Sequence, residues 1–526
     1  MLVGRMAQTY YVTTPIYYVN DVPHIGHSYT TIAADVLARY FRAEGRDVRF
    51  LTGTDEHGIK IVKAAAEKGV SPKQLADQVV VHFQELWKDL NISNDDFIRT
   101  SSARHEKRVQ ALVQRLVEKD EIYAGNYEGL YDEGQEEFVT ESVAREHDYC
   151  SPVNGRPLVR YSEPVYFFRL RKWIPRLLEH IRSNPGFIQP DARRNEVLSK
   201  LAQGPDDLCI SRAMEKLDHW GVPMPNDPTH SVYVWIDALS NYYTALGLPE
   251  IGDGGDGKAA RYWPADVHLI GKDILWFHTV YWPCMLMALD IPLPRRVFAH
   301  GWWTSEGKKM SKSLGNFISR ETIAEICREY SVDVYRYFLL RAVPFGSDGD
   351  FSRDMLRTRY NAELANGIGN LLSRTVNMIE RYFDGAVPAP GSPPGAAEAA
   401  VIAAAADLRE SAPTVMETCR FHVYLDKISA VEAATNRYID ATQPFKLAKD
   451  PARRDRLATI LHTCAEAVRI VLLYLRPVMP EAADRGLEQL GAAAGAEALS
   501  RAAEWGRVAP QTRTHKGESL FPRKDA

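Results

Sequence analysis

The chain has 526 residues, 45% hydrophobic and 25% charged, a globular composition with enough apolar residues for about three units of roughly 150 residues. Net charge is −4, from 64 basic and 68 acidic residues, so overall charge does not mark a nucleic-acid binder and any such contact must use local basic patches. No apolar run of about 18 residues and no secretory signal region is expected, and six scattered cysteines (Cys150, Cys209, Cys284, Cys327, Cys419 and Cys464) fit a reducing cytosol rather than a disulfide framework.

Tyr10–Thr14 alternate and branch as a strand does. Ile32, Val36, Leu37, Tyr40 and Phe41 then recur at helical spacing, and Gly45 suits the C-terminal cap. The loop Val19–Pro23 delivers His24, Ile25, Gly26 and His27 to the helix start. A helix start offers unpaired N–H groups and a positive dipole end, so it attracts phosphate. Gly26 lets a flat ring approach the backbone, and both imidazoles can donate to phosphate oxygens. Two histidines there also suit caps or metal ligands, so this turn alone leaves both readings open.

Val48–Thr52 reads as a second strand ending in Gly53-Thr54-Asp55-Glu56-His57-Gly58, before a helix Ile59–Lys68. Ligands of open parallel sheets bind at such strand ends, where Asp55 suits either an ammonium group or a helix cap. Ser71-Pro72-Lys73-Gln74 has the form of a capping box and opens a helix toward Leu90. Another helix is expected near Ser102, carrying Val109, Leu112, Val113 and Leu116. Strand–helix alternation points to a doubly wound parallel sheet. From Ile122 to about Arg171 the spacing changes to short strands with acidic turns, as an insertion would. The sheet is expected to resume at Val232–Trp235, then at Val267–Ile270 and Val297–His300, three strands whose polar or aromatic ends suggest one pocket. Lys309-Met310-Ser311-Lys312-Ser313 follows the segment Gly301–Gly307, and two lysines in a small polar loop suit a mobile clamp on polyphosphate. From Ala324 onward the pattern is helical: a long helix from about Arg353 to Phe383, then Ala396 to about Arg409, Phe421–Thr442 and Asp455–Leu475. Arg353, Arg357 and Arg359, and Arg453, Arg454 and Arg456, form local basic patches that are ordinary solvated helix faces by composition.

The His24–His27 turn and the Lys309–Ser313 loop, in this order, resemble the two signature motifs of class I aminoacyl-tRNA synthetases. Thr52–Gly58, Val234–Leu239, Gly271–His278 and Asn370–Arg374 narrow the resemblance to methionyl-tRNA synthetases, over about Thr9–Arg476. The resemblance implies an α/β Rossmann-like catalytic domain (1–121 and 229–323) split by a connective insertion (122–228). A connecting region (324–352), an all-α anticodon-binding bundle (353–509) and a tail (510–526) follow. It implies ATP-dependent ligation of L-methionine to tRNA through methionyl-adenylate, with release of pyrophosphate and AMP. His24, Gly26, His27, Lys309, Ser311 and Lys312 would bind ATP with its magnesium, and the two histidines and two lysines would carry the catalysis. Asp55 would hold the methionine ammonium group. Ile16, Tyr18, Trp235, Ala238, Leu239, Tyr242, Ile274, Phe277 and His278 would shape an aromatic slot, which suits a thioether. Leu239 replaces a proline found in some relatives. Asn366, Asn370, Arg374 and Phe445 would read the anticodon, Phe445 standing where a tryptophan is usual.

Relatives often carry a zinc knuckle in the insertion. Here Asp132 and Gln135 take the place of a cysteine pair, and Cys150 and His147 make a poor remainder, so no structural zinc is expected. The expected partners are initiator and elongator methionine tRNAs and no membrane, with a monomeric, cytoplasmic protein. A small nucleotidyltransferase would share the histidine turn but needs no helical RNA reader. A non-catalytic tRNA-binding relative would not need His24, His27 and Lys312.

Overall fold

The computed structural model describes residues 8–135, 137–139, 141–250, 258–310, 317–492, 495 and 497–524. They divide into two compact units, 9–34 with 48–300, and 35–47 with 301–526.

The first unit is organised around a six-stranded sheet, in the order Asp96–Arg99, Asp47–Asp55, Thr9–Tyr18, Val267–Gly271, Val297–His300 and Ile188–Gln189. Val12 lies opposite Val267, Leu51 opposite Asp96, and Leu269 opposite Phe298, all in parallel register. Tyr10–Pro15 and Leu51–Asp55 are buried in succession rather than alternately, the mark of a sheet covered on both faces. At Gly53 a Cβ would lie 2.1 Å from the Ile98 carbonyl oxygen, so close strand approach requires glycine there. Parallel strands bring Tyr18, Asp55, Gly271 and His300 to one edge.

The helix Ile25–Ala43 ends as expected, with Gly45 at φ +82°. The helix Pro72–Asp89 has the full capping box: the Gln74 amide donates to Ser71 Oγ at 3.2 Å and the Ser71 amide to Gln74 Oε1 at 3.0 Å. One expected strand is corrected. Asp227–Val232 pairs antiparallel with Ser211–Ala213 in a separate small sheet, and Val234–Thr244 is a helix. The run Val232–Trp235 is apolar for either form; burial of nearly every residue of the helix, not alternation, explains its composition. The edge strand Ile188–Gln189 is too short to show a period.

The insertion is built on Ile122–Asp132 and Val159–Phe168, antiparallel from Ile122↔Phe168 to Tyr131↔Val159. Glu137–Val139 and Leu208–Cys209 flank them.

The second unit is mainly helical. The expected long helix is present but interrupted: Arg353–Arg359 continues into a π-helix, Tyr360–Gly369, and then Asn370–Phe383. Ala396–Glu417 runs past the expected end and past Pro413, because Leu408, Ala412, Val415 and Met416 keep the apolar face buried. Buried Arg336 donates to Asp35 Oδ2 at 2.7 Å and to the carbonyls of Pro477 and Val478. The tail packs back: Leu520 and Phe521 are buried, and Tyr360 Oη donates to the Pro522 carbonyl at 2.6 Å. Contrary to the expectation from composition, Pro451–Leu475 is apolar enough over 18 residues to count as a candidate span, yet 94% of that window is buried inside the protein. A core helix and a membrane span share that composition.

Candidate active site

At the helix start, the Gly26 amide donates to His24 Nδ1 at 3.0 Å and the His24 amide to His27 Nδ1 at 3.2 Å. A ring nitrogen that accepts carries no proton, so each imidazole carries its N–H at Nε2. The rings stack at 3.9 Å, and His27 also packs on Tyr17 at 4.8 Å and Phe83 at 5.4 Å. Burial, and then the neighbouring His24, hold His27 well below the usual imidazole range. A Cβ on Gly26 would stand 2.9 Å from the His24 ring. The turn thus leaves an Nε2–H on each imidazole at a helix N-terminus.

The aromatic candidates come from distant segments. Trp235, on the helix Val234–Thr244, and Phe277 stack at 3.7 Å with their planes 5° apart. Phe277 and His278 sit in a π-helical turn, Phe277–Tyr281, a wider coil found often at functional sites. His278 Nδ1 lies 2.9 Å from the Ile274 carbonyl, which can only accept, so Nδ1 holds the proton and Nε2 accepts from Tyr242 Oη at 2.7 Å. Burial lowers His278 to about 4, so the ring is neutral near pH 7. The Tyr242 ring stacks on His268 at 4.1 Å, and His268 Nδ1 meets Thr13 Oγ1 at 2.8 Å. Ala238 and Leu239 are buried, while Ile16, Tyr18 and Ile274 are half-buried against the same core.

Asp55 is buried where its strand ends. Its carbonyl accepts from the Val19 amide at 3.3 Å, tying the histidine loop to that strand end. Its charge reaches the Tyr242 hydroxyl, which burial chiefly pushes well above its ordinary range. The following Glu56 accepts from Arg99 Nε and Thr54 Oγ1, both at 2.7 Å, and from the Ser101 hydroxyl. His57 is hydrogen-bonded to Asp237. Burial alone would lower His57, but the charges of Asp237, Glu106 and Glu56 raise it.

Residues 10–151 and 147–376 match the family described as tRNA synthetases class I (M). A methionine–tRNA ligase of Caldanaerobacter subterraneus subsp. tengcongensis is 48% identical over 522 residues, 99% of this chain and 80% of that protein. One from Bacillus subtilis is 44% identical, covering 98% of this chain and 78% of that protein. The solved structure of Mycobacterium tuberculosis methionyl-tRNA synthetase in complex with methionyl-adenylate matches with a TM-score of 0.92 at 42% identity, over 98% of this chain and 100% of that one. The chain belongs to the class I methionyl-tRNA synthetases.

Within that family, the remaining expected residues fall as follows. Lys309 lies on a short strand opposite Thr304, and Ser311 and Lys312 lie outside the described residues. Asn366, in the π-helix, and Asn370 are exposed. Arg374 pairs with Asp440 at 3.0 Å and donates to Asn436 Oδ1 at 3.3 Å. Phe445 is 47% exposed on the short helix Pro444–Leu447.

The residues at the knuckle do not fit zinc. Asp132 is buried, and its Oδ1 accepts from the amides of Gly134 at 2.7 Å and Gln135 at 3.1 Å. Its Oδ2 accepts from the Ser151 hydroxyl, which in turn accepts from the Val153 and Asn154 amides. A carboxylate fills the place of a metal here, and among the described residues no group of three metal-ligating side chains occurs. The missing cysteines are visible in the sequence, but this hydrogen-bonded replacement is not. No local signal joins His57 to Asp237 or marks His105, because their contacts span 180 and 132 positions.

Proposed function

We propose that this chain joins L-methionine to its tRNA in two steps. A methionine carboxylate oxygen attacks the α-phosphorus of ATP, the bond to the bridging oxygen breaks, and pyrophosphate leaves. A ribose hydroxyl of the terminal tRNA adenosine then attacks the carbonyl of methionyl-adenylate, loses its proton, and displaces AMP. ATP enters as its magnesium complex, a substrate whose metal rides mainly on phosphate oxygens. With no covalent enzyme intermediate, the protein contributes placement and electrostatics.

The observation that carries this reading is the pairing of two neutral imidazoles, each with an Nε2–H donor, with an aromatic slot and a buried carboxylate in one unit. His24 and His27 donate to phosphate oxygens as charge shifts onto the leaving group. Asp55 holds the methionine ammonium. The Trp235–Phe277 stack walls the side chain, and the Tyr242–His278 pair supplies polar atoms whose own hydrogen bonds are already made. Lys309 and Lys312 neutralise pyrophosphate. Asn366, Asn370, Arg374 and Phe445 read the anticodon of initiator and elongator methionine tRNAs; amides, a guanidinium and an aromatic ring suit unstacked bases. The protein works without structural zinc, as a monomer in the cytoplasm. The Asp132 hydrogen bonds and six cysteines outside any disulfide support the first and last of these readings.

Methionine-dependent exchange of labelled pyrophosphate into ATP, run across the twenty amino acids, tests the reading. Exchange with methionine alone is expected; exchange with another amino acid, or none, overturns it. Elemental analysis is expected to show no stoichiometric zinc, and light scattering a single chain.

A further inference from the structure

The helix that carries the slot wall also carries a buried carboxylate outside the residues expected to bind methionine. Asp237 is 1% exposed. Its Oδ2 accepts from His57 Nδ1 at 2.7 Å, and its Oδ1 accepts from His105 Nε2 at 2.8 Å. His105 Nδ1 meets Thr244 Oγ1 at 2.7 Å, which fixes the far side of that ring. His57 Nε2 faces Glu106 at 3.7 Å, and the Trp220 ring packs edge-on at 5.2 Å. Trp220 Nε1 donates to the Glu56 carbonyl at 2.5 Å and so secures the same turn. Both oxygens of the carboxylate and one nitrogen of each imidazole are committed.

The partners come from three elements. His57 stands two residues after Asp55 in the turn before the helix Ile59–Glu67. His105 lies on the helix Ala103–Glu118. Asp237 lies on the helix Val234–Thr244, with Trp235 two residues before it and Ala238 and Leu239 directly after it. The turn carrying the ammonium-binding candidate is therefore bolted to the helix carrying the slot wall, across 180 positions of sequence. A bolt of this kind sets a distance, and a preformed binding site works only while its groups are held within about 0.5 Å of the productive geometry.

We propose that Asp237, clamped by His57 and His105, is a positioning residue that holds Asp55 and the Trp235–Phe277 wall at the spacing methionine requires. This rests on the reading that Asp55 and the slot bind methionine. The clamp lies outside the residues expected to touch methionine or ATP, so its effect falls chiefly on methionine recognition.

The geometry supplies a test that simple packing would not pass. His57 uses Nδ1 and His105 uses Nε2. An asparagine amide places its N–H close to the position of an imidazole Nδ1, and a glutamine amide close to that of Nε2. His57→Asn and His105→Gln therefore keep the donor, while His57→Gln and His105→Asn misplace it, and each set holds one asparagine and one glutamine, so side-chain size does not separate the two sets. In pyrophosphate exchange, the donor-keeping pair should stay within about threefold of the parent in methionine KM. The misplacing pair should raise methionine KM about 10- to 100-fold, as loss of a hydrogen bond to a charged group does, with ATP KM and kcat little changed. Equal effects of the asparagine and glutamine substitutions at each position, or a loss that falls on ATP KM or kcat, would overturn the clamp as a positioning device. Near-UV circular dichroism checks folding, and if one misplacing variant fails to fold the other carries the comparison. If neither folds, the clamp is a folding element and the proposal is wrong. Parent protein that shows no methionine-dependent exchange would instead overturn the functional reading, which keeps the two failures apart.

Discussion

Each unit buries an aspartate, and the two are treated in opposite ways. Asp237, in the first unit, meets two imidazoles. Burial alone would raise its carboxyl, but those rings outweigh it and hold the group down to about 2. Asp333, in the second unit, accepts from the Ala482 amide at 2.6 Å, and burial carries it up to about 6 despite that amide and nearby Arg336. Desolvation acts the same way on both. Neighbours whose charge or hydrogen bonds favour the anion decide the difference. At the Asp237 site ionised groups fix side-chain orientation, whereas the Asp333 site tolerates a carboxyl that gains its proton readily.

Removing the better-held group should cost most. Asp237→Ala leaves two buried imidazoles without their acceptor and should destabilise the first unit by about 3–5 kcal/mol in urea unfolding at pH 7. A loss under about 1 kcal/mol would mean that the imidazoles find other partners. For the parent, the Asp237 contribution is present above about pH 3.8 and lost as pH falls through about 2, because the depressed carboxyl must then take a proton.

Asp333 should show the reverse sign. Its folded carboxyl titrates near 6 and its unfolded one near 3.8, so stability falls as pH rises from about 3.8 to 6 and then levels. Asp333→Asn removes that dependence and keeps an oxygen for the Ala482 amide. It should stabilise the protein at pH 8 by up to roughly 3 kcal/mol, with the gain vanishing near pH 4. A difference independent of pH would show that the carboxyl is ionised alike in both states.

A third buried carboxylate sharpens the comparison because its partners are neutral. Asp132→Ala leaves the Gly134 and Gln135 amides and the Ser151 hydroxyl without their acceptor. It should destabilise the insertion by about 1–3 kcal/mol, read as earlier local hydrogen exchange. A chelator should leave the parent's melting unchanged, and melting that falls with chelator would mean a metal shares this knot.

The smallest effect on the fold belongs to the exposed face proposed to meet the anticodon. Phe445→Ala should leave melting and pyrophosphate exchange alone while weakening full-length tRNA charging by about 1–3 kcal/mol, the worth of one stacked base. A minihelix substrate without an anticodon should not feel the change. Equal loss on both substrates would move Phe445 away from the anticodon.

The sequence by itself determined the parts whose signal is local. The strand–turn–helix with His24 and His27, the Ser71 capping box, Gly45 as a cap and the long helical stretch all follow from neighbours a few residues apart. The family resemblance then named the candidate site residues, since its motifs are contiguous words. Tertiary structure decided the rest, because its causes lie far apart in the chain. The Val232–Trp235 run is equally apolar as strand or helix, and only the tertiary structure ended a strand at Val232 and began a helix at Val234. The π-helical turns at Phe277–Tyr281 and Tyr360–Gly369 leave no period of their own in so short a run. Asp237 could be read as one more acid in a motif until folding brought His57 and His105 to its two oxygens, across 180 and 132 positions. Local propensity acts between neighbours, whereas the charge state of a buried group is set by whatever packing brings against it.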